Sequence, residues 1–254
     1  MPHLDLWVIA VLGAVAYVAA TVDAIAGGGG LLNVPALLLA GLPVQVALGT
    51  NKLAGIAGTA TATATFAAAG TIRWQLVASA SIAALAGSVL GTHTVLHTDP
   101  RLVRGIVVVL LVLVSLVVAV NPRFGQKAGA PAARSVWRSG AIGLGLGFYD
   151  GFFGPGAGLF MAFAFVTMLG VDLLGATGMA KAANFASNLG SVVTFALGGA
   201  IDYRAGIVMG VCAAAGAFTG SRLAIVRGAP FIRYVFLSIA LLLAASLIWQ
   251  ALRH

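Results

Sequence analysis

The chain has 254 residues, 61% of them hydrophobic, with 14 basic and 6 acidic side chains and a mean hydropathy of +1.07. A soluble domain carries about a quarter charged residues; at 8% this chain cannot cover its own surface. A cytosolic enzyme and a disordered chain are both excluded, leaving an all-α integral membrane protein whose unit is the span of about 20 apolar residues.

The charge distribution sharpens this. The net charge is +8, every acid is aspartate, and the arginines cluster where apolar runs end: Arg73, Arg101, Arg104, Arg123, Arg134, Arg138, Arg222, Arg227 and Arg233. Such a basic excess reads as loop charge that sets topology and meets anionic lipid heads. It does not call for a nucleic-acid partner. Cys212 is the single cysteine, so the chain forms no internal disulfide.

In chain order, apolar runs cover about 4–26, 31–41, 44–70, 75–96, 101–120, 139–153, 158–170, 172–199, 205–225 and 231–252. They predict about eight to ten membrane segments. The first run lacks the basic leader of a secretory signal and is read as a span. The long polar interruption, 121–138, is a basic linker loop between residues 1–120 and 139–254.

Those two parts read as repeats. At an offset of 129, Gly41, Ala47, Gly49 and Lys52 meet Gly170, Ala176, Gly178 and Lys181, and Arg104 meets Arg233. At an offset of 127, Asp23 and the run Gly27 to Gly30 meet Asp150 and the segment Gly154 to Gly158. Duplicated membrane halves mark secondary transporters. Residues 4–41 would make a helix of about 57 Å, too long for one span, so the glycine run must break it. If the shorter piece recrosses, the halves are inverted. That count places Arg73, Arg123, Lys127, Arg134, Arg138, Arg222, Arg227 and Arg233 on one side, against Arg101, Arg104, Arg204 and Arg253 on the other. The asymmetry favours inverted repeats with an external N-terminus.

Lys52 and Lys181 occupy equivalent places inside apolar runs, where an ammonium costs about 2.5–3.5 kcal/mol even on lenient scales. Around them lie two polar clusters. The first is Gly49, Thr50, Asn51 and Lys52, followed by Thr59, Thr61, Thr63 and Thr65. The second is Lys181, Asn184, Ser187, Asn188, Ser191 and Thr194, in which 181, 184, 188 and 191 share one helical face. An ammonium beside amides and hydroxyls suits an oxyanion; the hydroxyls alone suit a polar helix seam. The glycine breaks, with Gly28, Gly29 and Gly156, start short helices whose N-termini favour anions. Gly87, Gly91, Gly216 and Gly220 read as close helix contacts.

Asp23 and Asp150 stand before the two breaks, where each would carry a coupled proton, pair with a lysine, or cap the glycine turn. His93, His97 and Asp99 have no repeat partners and make a poor metal site. Trp7, Trp74, Tyr203 and Trp249 read as interfacial anchors.

The stretch from Asp23 to Gly30, Pro35 and GLPVQVALGTNKLAG, with GFYDGFFGPGAGLF and KAANFASNLGS in the second half, resembles the sulfite exporter TauE/SafE family, also called the toluene-sulfonate uptake permease family. The resemblance spans nearly the whole chain. It implies a multi-pass bacterial inner-membrane transporter of sulfite or organosulfonates, without a cofactor. It also implies that Gly49, Thr50, Asn51 and Lys52 match one motif and Lys181, Asn184, Ser187 and Asn188 the other. Two departures stand out: Gly178-Met-Ala replaces Gly-Thr-Asn before Lys181, and Pro155 occurs in the second glycine loop alone. The expected partners are the anion, a coupling proton or cation, and membrane lipid, with a homo-oligomer left open. An anion channel with a lysine-lined pore is the alternative. An intramembrane enzyme lacks its nucleophile–base set.

Overall fold

The computed structural model describes residues 4–120 and 136–252. Of the 121–138 linker, residues 121–135 lie outside them and 136–138 are helical; Arg253 also lies outside, as do many side chains after Val107 in the fifth helix and after Ile232, Trp249 among them. Among the described residues every regular element is a helix: α1 (Leu6–Ala26), α2 (Gly30–Leu39), α3 (Val44–Ala68), α4 (Trp74–Leu96), α5 (Pro100–Val120), α6 (Val136–Phe152), α7 (Ala157–Leu169), α8 (Leu173–Leu197) and α9 (Tyr203–Leu252). The last is two helices meeting at Gly228, whose φ of 67° and ψ of −167° interrupt the ladder just before Pro230. Among the described residues three segments are long and apolar enough to cross a membrane, by length and composition alone: α1, α4 and Tyr203–Ile232. The chain is a polytopic all-α membrane protein.

The helix ends repeat at a constant spacing. α3 and α8 are both 25 residues long, and each end of α8 falls 129 residues after the matching end of α3. α4 and α9 begin at Trp74 and Tyr203, the same 129 apart. Both aromatics are exposed on the first turn of their helices, as is Trp7 on α1.

Close packing rests on small residues. Gly87 and Gly91 of α4 lie against the Leu144 and Phe148 carbonyls of α6, while Gly143, Gly147 and Gly151 of α6 lie against the backbone of Ala80, Ala84 and Ser88. The α1–α9 contact has the same construction: Gly216 and Gly220 meet the carbonyls of Tyr17 and Thr21. A side chain at these positions would hold the helix axes apart. In hydrocarbon, where lipid is as apolar as leucine, such backbone proximity is what favours helix–helix over helix–lipid contact.

The two breaks also lie against each other. α1 stops at Gly27 (φ 79°), followed by Gly28 (φ 102°). α6 ends before Gly154 (φ 95°) and Gly156 (φ 83°). These left-handed conformations are open to glycine at low cost. A Cβ on Gly27 would strike the backbone of Leu159, and one on Gly30 would press on Pro155. α2 and α7, of 10 and 13 residues, are about 15 and 20 Å long, short of the hydrocarbon thickness.

Candidate functional site

α3 and α8 each carry a lysine eight residues after their first residue, and both ammonium groups are buried. A buried charge needs a partner, and the partners are crossed. Lys52 on α3 pairs with Asp150 on α6 at 2.6 Å. Lys181 on α8 pairs with Asp23 on α1 at 2.7 Å. Each lysine therefore reaches the aspartate of the other half of the chain.

The second oxygens of the two carboxylates differ in their company. Asp23 Oδ1 accepts from the backbone N–H of Gly29 at 3.0 Å, so it pairs with a lysine and caps the glycine break together. Asp150 Oδ2 accepts from the Ser187 hydroxyl at 2.5 Å. Lys52 donates further to Asn188 Oδ1 at 3.2 Å, and Asn188 Nδ2 donates to Thr59 at 3.3 Å.

Between the breaks lies a cavity of about 60 Å³, room for several waters or one small anion. Lys52, Asp23, Asp150, Asn51, Asn184, Asn188, Gly29 and Gly156 border it. The amides of Asn51 and Asn184 have no hydrogen-bond partner among the described residues. α7 starts at this cavity without a side-chain cap; its first N–H, on Ala157, bonds to the Gly154 carbonyl at 3.0 Å, and the next, on Gly158, has no partner among the described residues. Lys52, these amides and the α7 N-terminus form a donor set for an oxyanion, balanced by two carboxylates.

Other residues expected at the site lie elsewhere. Thr50 accepts from the Asp202 N–H at 2.9 Å and so fixes the start of α9. Gly49 is a contact point for the Ala200 carbonyl and Phe195. Lys181, Ser187 and Gly28 stand behind the cavity wall rather than on it, Lys181 with only 1% of its surface exposed. The hydroxyls of Thr59, Thr61, Thr65 and Thr194 bond to carbonyls one turn back, the usual behaviour of such residues inside helices. Among the described residues no group of three or more His, Cys, Asp or Glu side chains forms a metal site; His93 and His97 simply stack at 4.1 Å.

Sequence reasoning passed over Asn33. This α2 residue borders the cavity, is 6% exposed, and its Oδ1 is buried without a partner. The usable signal was an amide within the apolar run GLLNVPALLL, where a polar group is costly. It lacks a repeat counterpart, since Phe160 stands 127 residues on. Gly154 and Gly158 were also passed over as individual contacts: a Cβ on either would sit 3.3 Å from Lys52 Nζ and Lys181 Nζ respectively.

The family profile described as Sulfite exporter TauE/SafE matches residues 12–247. The chain belongs to this family. It is 34% identical over 249 residues to "Probable membrane transporter protein ORF9" of Sinorhizobium sp, covering 98% of this chain and 95% of that protein. It is 35% identical over 242 residues to a "Probable membrane transporter protein" of Haemophilus influenzae, 95% of each chain. It is 37% identical over 246 residues to "Probable membrane transporter protein YfcA" of Escherichia coli K12, 95% of this chain and 90% of the relative. No solved structure matches it. Family and relatives together make this chain a multi-pass membrane transporter.

Proposed function

We propose that the protein is a secondary transporter of a small sulfur oxyanion, sulfite or a short organosulfonate, in the bacterial inner membrane. The substrate site is the cavity between the glycine breaks, with Lys52 as its cation and Asn51, Asn184, Asn188 and the α7 N-terminus as further donors. The parts on either side of the basic linker act as two inverted repeats, the linker's last residues, 136–138, forming the start of α6, and alternating access comes from one part rocking against the other. The crossed pairs Lys52–Asp150 and Lys181–Asp23 carry this reading, because they tie the two halves together at the cavity. Rocking must lengthen or exchange at least one of them.

The cavity volume favours an anion of few heavy atoms over an aromatic sulfonate. Efflux of an anion runs down the membrane potential, whereas uptake needs a coupled proton or cation, for which Asp23 and Asp150 are the candidate carriers.

Proteoliposomes test the proposal. Preloaded unlabelled sulfite should accelerate entry of labelled sulfite, with saturation, and Lys52→Ala should abolish that counterflow. Conduction that rises linearly without counterflow would instead identify an anion channel.

A further inference from the structure

The two ion pairs have the same residue types and nearly the same length, yet their surroundings assign them different work. Both roles rest on the anion site proposed above. The two ion pairs, Lys52–Asp150 and Lys181–Asp23, already balance one another's charge, so an anion added to the cavity leaves uncompensated charge in a buried place. Balance returns if a carboxylate takes a proton as the anion arrives.

We propose that Asp150 alone makes this exchange: the anion replaces it as counter-ion of Lys52 while a proton from the aqueous phase settles on Asp150, and Lys181–Asp23 stays charged throughout.

Hydrogen-bond chemistry separates the two aspartates. Gly29 N–H can only donate, so Asp23 Oδ1 must remain an acceptor to hold the break. A hydroxyl both donates and accepts. Ser187 therefore donates to Asp150 Oδ2 when it is charged, and accepts from that oxygen once it carries the proton. The position 129 residues before Ser187 is Gly58, so the first half has no equivalent hydroxyl.

The lysines differ in the same sense. Lys52 borders the cavity and keeps Asn188 Oδ1 as a second acceptor when Asp150 turns neutral. Lys181 does not border it, so an anion there cannot stand in for Asp23.

Among the described residues, the groups packed around Asp150 add one further carboxylate, Asp23, and both its oxygens accept from groups that can only donate, the Gly29 N–H and the Lys181 ammonium. α3 contributes Lys52, and α1 and α8 contribute Asp23 and Lys181, already paired. α7 has no titratable side chain, and the sole one on α4, His93, is exposed and stacked on His97. Tyr149, the neighbour on α6, donates its hydroxyl to the Pro155 carbonyl.

Titration calorimetry of the purified full chain with methanesulfonate, in buffers of different ionisation enthalpy, counts the protons taken up. This anion stays fully ionised across the working range, so any proton comes to the protein. The wild type should take up about one proton per anion. Asp150→Asn should bind the anion with no proton uptake. A wild type that binds without proton uptake overturns the exchange but leaves the anion site intact. Proton uptake that persists in Asp150→Asn overturns the assignment to Asp150. A wild type that binds neither methanesulfonate nor sulfite overturns the anion site itself, and the exchange with it. Should Asp150→Asn fail to fold, infrared difference spectra of the wild type still decide: a protonated carboxyl band must appear on adding the anion, and its absence refutes the exchange.

Discussion

Lys181 Nζ donates to Asp23 Oδ2 at 2.7 Å across a sequence separation of 158 residues, and the same carboxylate caps the first glycine break through Gly29. One carboxylate thus joins a helix of the second half to the turn that shapes the first. Removing Lys181 leaves Asp23 without its counter-ion. Lys181→Ala should destabilise the protein by about 3–5 kcal/mol. The Asp23→Ala, Lys181→Ala double variant should lose clearly less than the two single losses added. Thermal unfolding in detergent of the four proteins checks this; strict additivity would show that the pair is not coupled.

The helix contacts built on glycine give a second expectation. Gly91→Ala places a methyl against the Phe148 carbonyl and the Phe152 N–H, both backbone and unable to yield. A loss of about 1–3 kcal/mol follows. Gly140, within α6, has nothing within 4 Å of an added Cβ. Gly140→Ala should gain about 0.5–1 kcal/mol from helix propensity. Opposite shifts in melting temperature are the expected readout; equal shifts would contradict the contact geometry.

Asn33 sets stability against use. Its buried, unpartnered Oδ1 carries a desolvation cost of about 1–3 kcal/mol. Asn33→Leu should therefore raise the melting temperature while weakening sulfite binding, because the side chain borders the cavity. A variant that is stabler and binds as tightly as the wild type would remove Asn33 from the site.

Thr50 and Asn184 belong to matching clusters in the sequence, yet they should separate in experiment. Thr50→Val strands the Asp202 N–H and should cost about 1–3 kcal/mol with anion affinity unchanged. Asn184→Ala removes a cavity amide and should weaken affinity about tenfold, the equivalent of 1.4 kcal/mol, at little cost in stability. Melting curves and binding isotherms measured side by side distinguish the two; a loss of affinity in Thr50→Val would return Thr50 to the substrate.

Much of the architecture was legible. Each apolar run found its helix, including the break between 205–225 and 231–252 that the structure places at Gly228. Hydropathy sums locally along the chain, so the ends of α3 and α8 could be read to within about two residues. The twin lysines were legible for the same reason: an ammonium inside an apolar run stands out whatever surrounds it. For Asp23 and Asp150 the sequence left capping, pairing and proton carriage side by side. It held no information to choose, because the choice depends on groups brought from other helices.

Sequence by itself determined the class of the molecule, its helices, the positions of the glycine breaks and the four charged residues that had to be reconciled with a membrane. Those follow from properties each residue carries alone: transfer cost, backbone freedom and charge. Tertiary structure decided which lysine meets which aspartate, and that Asn51, Asn184 and the unforeseen Asn33 border the cavity while Gly49 and Thr50 face neighbouring helices. The physical reason is that a helix such as α3 has polar groups on more than one side. Its rotation against α8 and α9, set by close contacts such as Gly49 on the Ala200 carbonyl, selects which of them meets the ligand.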